Sequence, residues 1–399
     1  EFVLIPNLYA RYASSGPVHD ESMFFGRDEL IKSMADTIEK SRAKCILLFG
    51  QKRSGKSSVL YHVNEKLKAS DKFITIKFSI GDLIGSEMTD FAFFYKICRE
   101  IENYFLDLPG TPSKPAPEVP PIVFEDFREL PFIHFDGFLN QLRRNLLRTP
   151  GWRNHQIVLC IDEFSYLYTA IQRGTLSRDF MKTWKSVLER GAFKAILVGQ
   201  DVMPKFKSAF PNEFGVTEDI RLPFLDDAAA RALAEQPIWD QARNESRYIG
   251  DAVDGILEWT GKNPYYMQMF CARLVDRMNA NKYSKATRLD VDAVAHEMVR
   301  GNNALQKDKF DNLLTGGDAD VEQFGESHVT SILSSIAKNI QAHGHCTRDQ
   351  IGTMASKDKD DEVIRDLLRR EVIEIKEGKY YRILVKLFEL WLLNEKIRE

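Results

Sequence analysis

The segment GQKRSGKS at positions 50–57 constrains the fold of this chain more than any other feature of its sequence. It matches the pattern G-x-x-x-x-G-K-S/T, follows the apolar run CILLF (45–49), and leads into the helix-like stretch SSVLYHVNEKLK. Glycines let such a loop fold its backbone N–H groups around phosphate oxygens, and the N-terminus of the following helix adds partial positive charge. The segment therefore predicts a strand–loop–helix unit that binds the phosphates of a nucleotide.

Individual side chains of this segment have predicted roles. Lys56 would reach the β- and γ-phosphates, and the Ser57 hydroxyl would ligate Mg²⁺. The predicted nucleotide-binding positions of the segment are Gly50, Arg53, Ser54, Gly55, Lys56, Ser57 and Ser58. The alternative is a glycine-rich turn that binds no nucleotide, which the complete eight-residue match and the preceding strand disfavour.

A second candidate site follows the apolar run IVLCI (157–161), which ends in Asp162 and Glu163. Acids at the carboxyl end of a buried strand lie beside the crevice where ligands bind in parallel sheets. We expect Asp162 to serve the Mg²⁺ site and Glu163 to polarise the attacking water. Gln200, after KAILVG, is a weaker candidate for contact with the γ-phosphate or that water, and its neighbour Asp201 competes for the role.

Strand-like and helix-like stretches alternate up to about residue 225, which is typical of an α/β domain. The predicted strands are CILLF, FITIKF, IVLCI, KAILV and, less clearly, EDIRLPF (218–224). Their nearly continuous apolar character favours a parallel sheet covered by helices on both faces. The proline-rich stretch 109–121 cannot form a helix or a central strand, so it should leave the sheet as a linker or a partner-docking arm.

The rest of the chain has helical periodicity and ends in a different pattern. Three helical stretches, then EVIEIK and KYYRILV joined at Glu377 and Gly378, predict a winged helix. The expected organisation is an N-terminal extension (1–24), a P-loop domain (25–225), a helical domain (226–305), a connecting loop (306–325) and a winged-helix domain (326–399).

Composition narrows the functional classes. With 55 Lys and Arg against 58 Asp and Glu, the net charge is −3, so the chain as a whole lacks the charge of a protein that coats nucleic acid, although a local basic patch stays open. The 5 cysteines are odd in number and mostly in apolar surroundings, which favours reduced thiols in a cytoplasmic protein. No apolar run reaches the ~18 residues of a membrane span.

Five segments together resemble a known family: FFGRDEL (24–30), GQKRSGKSSVL, IVLCIDEF, AILVGQ and GKNPYYMQMFC (261–271). In this order and spacing they are similar to the signal-transduction ATPases with numerous domains (STAND), which are relatives of the AAA+ ATPases. The resemblance covers nearly the whole chain. It implies an ATPase that binds ATP or ADP with Mg²⁺ and turns over slowly.

The resemblance also implies further nucleotide contacts. Phe25, Gly26 and Arg27 would border the adenine, and Pro264, which with Gly261 forms the G-x-P element, would close over the base. The alternatives are a capped first helix at Phe25 and a helix that simply starts at Pro264. The histidine that many members carry in the winged helix has no match, because His343 and His345 lie in a loop outside the usual motif. Arg221 and Arg190 are arginine-finger candidates, although ion pairing is the commoner role of such residues.

Three functional hypotheses follow. The first is a STAND-like switch, as in bacterial antiphage defence: ADP holds a monomer, and ATP with a trigger drives homo-oligomerisation that activates an effector. Glu1 in place of a starting Met, and a last helix without a stop signal, lead us to expect effector or sensor segments beyond this sequence. The second is an AAA+ initiator or loader that binds duplex DNA. Residues 357–370 hold five basic and five acidic side chains, which favours protein over DNA as the partner. The third is a scaffold that does not hydrolyse nucleotide.

Overall fold

The computed structural model describes residues 2–14, 16–40, 43–83, 88–108, 111, 114–300, 304–316, 324–352 and 354–395. Contacts within the chain divide it into two compact units. The sheet unit consists of Glu29–Gly50 and Lys56–Leu222. The helical unit consists of Glu1–Asp28, Gln51–Gly55 and Pro223–Glu399.

The sheet unit is built on five parallel strands in the order β2-β3-β4-β1-β5. The strands are β1 (Cys45–Phe49), β2 (Phe73–Ser79), β3 (Gln156–Asp162), β4 (Lys194–Gly199) and β5 (Thr217–Arg221). The inner strand β4 is buried along its whole length, because helices cover both faces of the sheet. The predicted α/β fold class is confirmed, and the fifth strand is shorter than the predicted stretch 218–224.

Eight helices accompany these strands: α1 (Asp28–Glu39), α2 (Lys56–Lys68), α3 (Asp90–Leu106), α4 (Phe124–Glu129), α5 (Pro131–Arg148), α6 (Tyr166–Arg173), α7 (Phe180–Glu189) and α8 (Met203–Ala209). Aromatic rings join several of them. Phe93 of α3 lies with its ring centroid 5.0 Å from that of Phe180 and 5.6 Å from that of Trp184, both on α7. Such edge-to-face contacts add directionality to the apolar core.

The proline-rich stretch stays on the surface of the sheet unit. Residues 115–121 form neither helix nor strand. The indole N–H of Trp152 donates to the carbonyl oxygen of Pro115 at 2.8 Å, and the amide of Asn145 donates to that of Glu118 at 2.7 Å. These bonds hold the described part of the predicted arm against the domain, while positions 109, 110, 112 and 113 lie outside the described residues.

Four longer helices follow in the helical unit: α9 (Asp227–Glu235), α10 (Ala252–Thr260), α11 (Pro264–Asn281) and α12 (Arg288–Val299). The N-terminal segment packs onto them. The buried Tyr9 hydroxyl donates to the carbonyl oxygen of Ala234 at 2.6 Å, and the side-chain oxygen of Asn279 accepts from the backbone N–H of Ile5 at 2.8 Å. The predicted N-terminal extension is therefore part of the core of this unit.

The predicted connecting loop 306–325 is wrong over 307–314. A 3₁₀ turn covers Lys307–Lys309, and a short helix, α13, covers Asp311–Leu314. Phe310, Leu313 and Leu314 are buried. The segment is too short to show helical periodicity, but burial of these three side chains stabilises it. Positions 317–323 lie outside the described residues.

The C-terminal residues form the predicted winged helix. Its helices are α14 (Glu326–His343), α15 (Arg348–Ile351) and α16 (Lys357–Arg369), its hairpin strands are β6 (Ile373–Lys376) and β7 (Tyr380–Ile383), and α17 (Lys386–Glu395) follows. Glu377 and Gly378, with φ of 51° and 71°, make the turn between the antiparallel strands. Thr347 caps the second helix, α15, through a capping box with Gln350.

All five cysteines are buried and free. Among the described helices, none has the length and apolar composition to cross a membrane.

Candidate functional site

The segment 50–57 forms the predicted strand–loop–helix connection. Strand β1 ends at Phe49 and helix α2 begins at Lys56. Gly50 has φ of 153°, and a Cβ at this position would lie 2.9 Å from the carbonyl oxygen of Leu222. Only glycine fits here, because a side chain would collide with that backbone.

Lys56 is the best defined side chain of this connection. It is buried, and its ammonium group donates to the carbonyl oxygen of Gly50 at 3.0 Å. The ammonium of Lys56 thus lies at the loop, where its charge suits a bound anion. Ser57, in the first turn of α2, is half-buried. This position at a helix N-terminus suits an anion and its metal ion.

The loop also contains an unpaired polar atom. The Ser54 hydroxyl oxygen is buried, with no hydrogen-bond partner among the described residues. Buried hydroxyls are nearly always paired, so an orphan in a phosphate-binding pattern fits a loop that binds a ligand. Gly55, with φ of 96°, provides the left-handed turn that leads the chain into α2. The residues present therefore fit a nucleotide phosphate chain.

Arg53 has φ of 68°, although it is not glycine. A left-handed backbone at a residue with a side chain costs about 1–2 kcal/mol. The side chain does not extend into solvent. Its guanidinium lies 4.4 Å from the centroid of the Tyr265 ring and donates to the carbonyl oxygen of Lys309 at 2.7 Å, both in the helical unit. These contacts offset the backbone strain.

The acidic pair lies at the carboxyl end of β3, as predicted from the sequence. Asp162 is the last residue of that strand, and its carboxylate accepts from the backbone N–H of Glu163 at 2.8 Å. Glu163 has φ of 61°, a second left-handed position without glycine. Residues in such strained conformations are concentrated at functional sites. The carboxylate of Glu163 is thus held at one place on the sheet edge.

Sequence reasoning missed Ser79, which holds that carboxylate. The Ser79 hydroxyl donates to Oε2 of Glu163 at 2.5 Å and accepts from the backbone N–H of Gly81 at 2.9 Å. A Cβ at Gly81 would lie 2.0 Å from the same Glu163 oxygen, so only glycine permits this approach. Ser79 is the last residue of β2 and pairs in register with Asp162. The sequence signal that could have identified Ser79 is a polar residue at the end of a predicted strand.

Gln200 follows β4 at the same edge of the sheet, and its backbone N–H donates to the Ser165 hydroxyl at 3.2 Å. The structure shows no role for its side chain that distinguishes it from a loop residue. Its competitor Asp201 is buried and lies 3.5 Å from the guanidinium of Arg221. Arg190 likewise pairs with Asp136 at 2.9 Å. Both arginine-finger candidates are therefore ion-paired.

The F-x-G-R element packs within the helical unit. Phe25 is half-buried against the apolar core. Gly26 has φ of 69°, and a Cβ there would lie 2.2 Å from the Cβ of Ala229 on α9. The buried Arg27 donates to the carbonyl oxygen of Pro223 at 2.6 Å, and burial lowers the pKa of its guanidinium. Gly26 thus lies against α9 and Arg27 bonds to the segment before α9, and the adenine contact stays a prediction.

The segment GKNP (261–264), matched above to the G-x-P element although two residues separate Gly261 from Pro264, connects α10 to α11. Gly261 ends α10 with φ of 59°, and Pro264 is the first residue of α11. The Asn263 side chain caps this helix by accepting from the backbone N–H of Tyr265 at 2.9 Å. Pro264 is thus a helix-initiating proline. Its ring also approaches the phosphate loop, since a Cβ at Gly55 would lie 3.9 Å from its Cγ.

The charge on the exposed surface of α16, the third helix of the winged helix, differs from the balance of five basic and five acidic residues counted in the sequence. Of the five acids between positions 357 and 370, Asp360 is buried, Asp361 pairs with Arg348 at 2.6 Å, and Asp366 pairs with the buried Arg370 at 2.9 Å. The exposed charged side chains of α16 are Lys357, Asp358, Lys359, Glu362, Arg365 and Arg369. Arg369 also pairs with Asp366, at 2.5 Å, so the exposed charged side chains of α16 outside these ion pairs are three basic and two acidic, a net charge of +1.

The winged helix contains three histidines. His343 and His345 are exposed, but His343 is the last residue of α14 and so does not lie in the predicted loop. His328 of α14 is half-buried, and its Nε2 lies 2.6 Å from Oδ1 of Asp360. The His345 ring packs with its centroid 5.0 Å from that of Tyr380, and its Nδ1 lies 3.0 Å from the carbonyl oxygen of His343. The contacts of His345 are thus with the end of α14 and with strand β7 of the hairpin.

Two of the solved structures that are similar to this chain are aligned over nearly its whole length. A Walker-type ATPase of Pyrococcus abyssi is 14% identical, with 96% of this chain and 99% of that chain covered and a TM-score of 0.61. This chain has the fold of a Walker-type P-loop ATPase. The ORC2 protein of Aeropyrum pernix, solved as ADPNP–ADP complexes, is 12% identical, with 99% of this chain and 100% of that chain covered and a TM-score of 0.59. No family model matches the chain, and neither does any curated protein.

Proposed function

We propose that this chain binds ATP with Mg²⁺ and hydrolyses it slowly. The observation that carries the proposal is the fixed carboxylate of Glu163 at the end of β3, in a chain whose phosphate-binding pattern is complete. Lys56 would bind the β- and γ-phosphates, and Ser57 with Asp162 would hold the Mg²⁺ ion, which neutralises phosphate charge. Phe25, Gly26, Arg27 and Pro264 would contact the base.

Glu163 would act as the general base. Its carboxylate would take a proton from the water that attacks the γ-phosphate, and its position directly after a rigid strand would keep the acceptor in line. The Ser79 hydroxyl occupies one carboxylate oxygen, which leaves the other oxygen as the acceptor. Lys56 would exchange part of its bonding from the Gly50 carbonyl to phosphate oxygens, which supply charge-assisted hydrogen bonds.

The test compares two lysines of the same segment. Lys56→Ala removes the buried ammonium, whereas Lys52→Ala removes an exposed one. We expect Lys56→Ala to lower ATP affinity at least ~100-fold in calorimetry, because one charge-assisted contact to phosphate is worth several kcal/mol in a buried site. Lys52→Ala should bind as wild type does. Equal affinities of the two variants would reject the proposed site.

We further propose that the winged helix binds duplex DNA, so that the protein acts as a nucleotide-dependent DNA-binding ATPase. The small excess of basic side chains on the exposed surface of α16 favours this function, and the hairpin adds Lys376 and Lys379 against one exposed acid, Glu377. Basic side chains on the third helix and the wing are suited to phosphate contacts beside a groove. The ORC2 protein of Aeropyrum pernix, which has a similar fold, was solved with ADPNP and ADP, and this is consistent with the nucleotide-binding part of the proposal.

Anisotropy with a labelled duplex at several salt concentrations tests the DNA proposal. The double variant K359E/R365E should weaken binding and reduce the salt dependence by about two counterions, since each neutralised phosphate contributes about 0.9 to the slope. Lys338→Glu, at an exposed position on α14, is the matched control. No binding of the wild-type protein at low salt would exclude the DNA function.

The second candidate is the STAND-like switch, in which nucleotide controls homo-oligomerisation and activates an effector, as in antiviral defence. The approach of the Pro264 ring to Gly55 favours it, because a ligand at the loop could then change the position of α11. Light scattering with ADP and with a non-hydrolysable ATP analogue tests it. Discrete oligomers with the analogue alone would support the switch, and a monomer in both states would count against it.

A further inference from the structure

The phosphate loop is bound by residues that lie far along the sequence. All of the contacts concerned lie within the helical unit, which contains Gln51–Gly55 together with Pro223–Glu399. The side chains of Gln51 and Arg53 occupy variable positions of the motif. Neither side chain is needed for phosphate binding by the loop, since its backbone N–H groups donate the hydrogen bonds to the phosphate oxygens. Their partners therefore call for a different explanation.

Arg53 bonds to the short segment that precedes the winged helix. Its guanidinium lies over the Tyr265 ring and donates to the Lys309 carbonyl oxygen at 2.7 Å. The same carbonyl accepts from the Tyr266 hydroxyl at 3.0 Å. A cation held both by an aromatic face and by a carbonyl is fixed in direction and position. Movement of this carbonyl must therefore displace the side chain of Arg53.

The residue after Lys309 extends the connection into the winged helix. Phe310 is completely buried, and its ring centroid lies 5.3 Å from that of Phe388 and 5.2 Å from that of Trp391. Both partners belong to α17. Close-packed aromatic clusters transmit displacement because they have few alternative arrangements. A shift of α17 relative to this cluster would reach Lys309 through one peptide unit.

Gln51 makes a second connection. This buried side chain donates to the carbonyl oxygen of Arg370 at 3.2 Å and accepts from the Asn263 amide at 3.4 Å. Arg370 directly follows α16, and its buried guanidinium is fixed by Asp366. The loop is therefore bonded at two places, one before the winged helix and one at the end of its third helix.

We propose that Arg53, assisted by Gln51, is a latch that links the conformation of the phosphate loop to the position of the winged helix. The inference rests on the proposed binding of nucleotide at this loop. Arg53 is strained at its own backbone and held by distant contacts, so the latched loop persists only while those contacts exist. Linkage is reciprocal. A nucleotide that stabilises the loop with its Arg53 and Gln51 contacts formed also stabilises the winged helix in the position that these contacts require.

Arg53→Gly tests the side-chain contacts of Arg53 without changing the backbone conformation of the loop. Glycine adopts a left-handed backbone without strain, so the variant removes the side-chain contacts without removing the turn. Tyr265→Leu opens the latch from the other side, outside the phosphate-binding motif. Arg53→Lys keeps the charge and one donor, and should restore part of the coupling. Lys52→Gly places glycine at the neighbouring exposed position and is the matched control.

Hydrogen exchange of the amides of Phe310, Leu313 and Leu314 measures the coupling, with each protein saturated with ADP and Mg²⁺ as verified by calorimetry. In wild type we expect ADP to slow this exchange about tenfold, and in Arg53→Gly and Tyr265→Leu to leave it nearly unchanged. The double variant should resemble either single variant, because both open the same contact.

The outcomes separate the two proposals. If wild type binds no ADP, the proposed nucleotide site is wrong and the latch falls with it. If wild type binds ADP but Arg53→Gly and Tyr265→Leu retain the full slowing of exchange, the latch is wrong and the nucleotide site stands. If Lys52→Gly loses the ADP-dependent slowing of exchange as completely as Arg53→Gly does, the latch is also wrong. The loss would then result from the added flexibility of a glycine in the loop and not from the missing Arg53 contacts.

Discussion

Glu163 and Arg53 share an unusual backbone but are held by different parts of the chain. Their φ angles are 61° and 68°, and neither is glycine. Glu163 is restrained by Ser79 and Asp162, which belong to the sheet unit. Arg53 is restrained by Tyr265 and Lys309, more than 200 positions along the sequence. The comparison teaches that the proposed general base is organised by the sheet itself, whereas the phosphate loop depends on the helical unit.

The largest expected effect tests the Glu163 side of this comparison. Glu163→Gln should lower the rate of phosphate release at saturating ATP by about 10²–10⁴-fold, because the amide cannot accept a proton from water. ATP affinity should stay close to that of wild type. Glu218→Gln, at an exposed position on β5, is the control. Undiminished turnover by Glu163→Gln would remove Glu163 from its proposed role.

Loss of Ser79 should produce an intermediate effect. Ser79→Ala removes the hydroxyl that orients the Glu163 carboxylate, and we expect turnover to fall about tenfold, since misplacement of a catalytic group lowers the rate without removing the group. Ser79→Thr retains a hydroxyl and should restore most of the rate. Steady-state kinetics of both variants provide the measurement. Equal rates for the alanine variant and wild type would show that the sheet unit positions Glu163 by other means.

The smallest effect concerns stability of the helical unit. Burial raises the pKa of Glu389 on α17 to about 7, and Glu258 adds to this shift while Lys386 and Arg382 oppose it. The folded state therefore binds this proton more tightly than the unfolded state, whose carboxyl has a pKa near 4.5. The resulting stabilisation is complete below about pH 4.5 and is lost as the pH rises towards about 7.

Glu389→Gln removes that titration. The melting temperature of the variant, relative to wild type, should rise across this pH window by a few degrees and then level off. Calorimetric melts from pH 4.5 to pH 8 provide the measurement, with Glu377→Gln on the exposed hairpin turn as the control. A difference that does not vary with pH would contradict the assignment.

Much of the fold could be predicted because its signals are local. The complete phosphate-binding pattern predicts a strand before it and a helix after it, and β1 and α2 lie there. Continuous apolar runs predict the buried parallel strands, and paired short runs around Glu377 and Gly378 predict the hairpin. Each of these features depends on residues within one element or one turn.

The parts that were missed depend on residues distant in sequence. Phe310 looks like part of a polar loop because its aromatic partners on α17 are about eighty positions away. The contact of Ser79 with Glu163 could not be predicted, because it depends on the register that places Ser79 beside Asp162 on the neighbouring strand. The charge of α16 could be counted, but which of its charged side chains are buried or paired could not, and this changes the net charge of its exposed surface from zero to +1.

By itself, the sequence determined the strand–loop–helix of positions 45–68, the acidic pair at the end of β3 and the winged helix, since short-range periodicity and backbone chemistry specify each of them. Only the tertiary structure decided which groups hold the Glu163 carboxylate, and that Gln51 and Arg53 bond to the region around the winged helix. The physical reason is that a hydrogen bond or an aromatic contact depends on proximity in space. Periodicity and motif spacing describe neighbours along the chain alone.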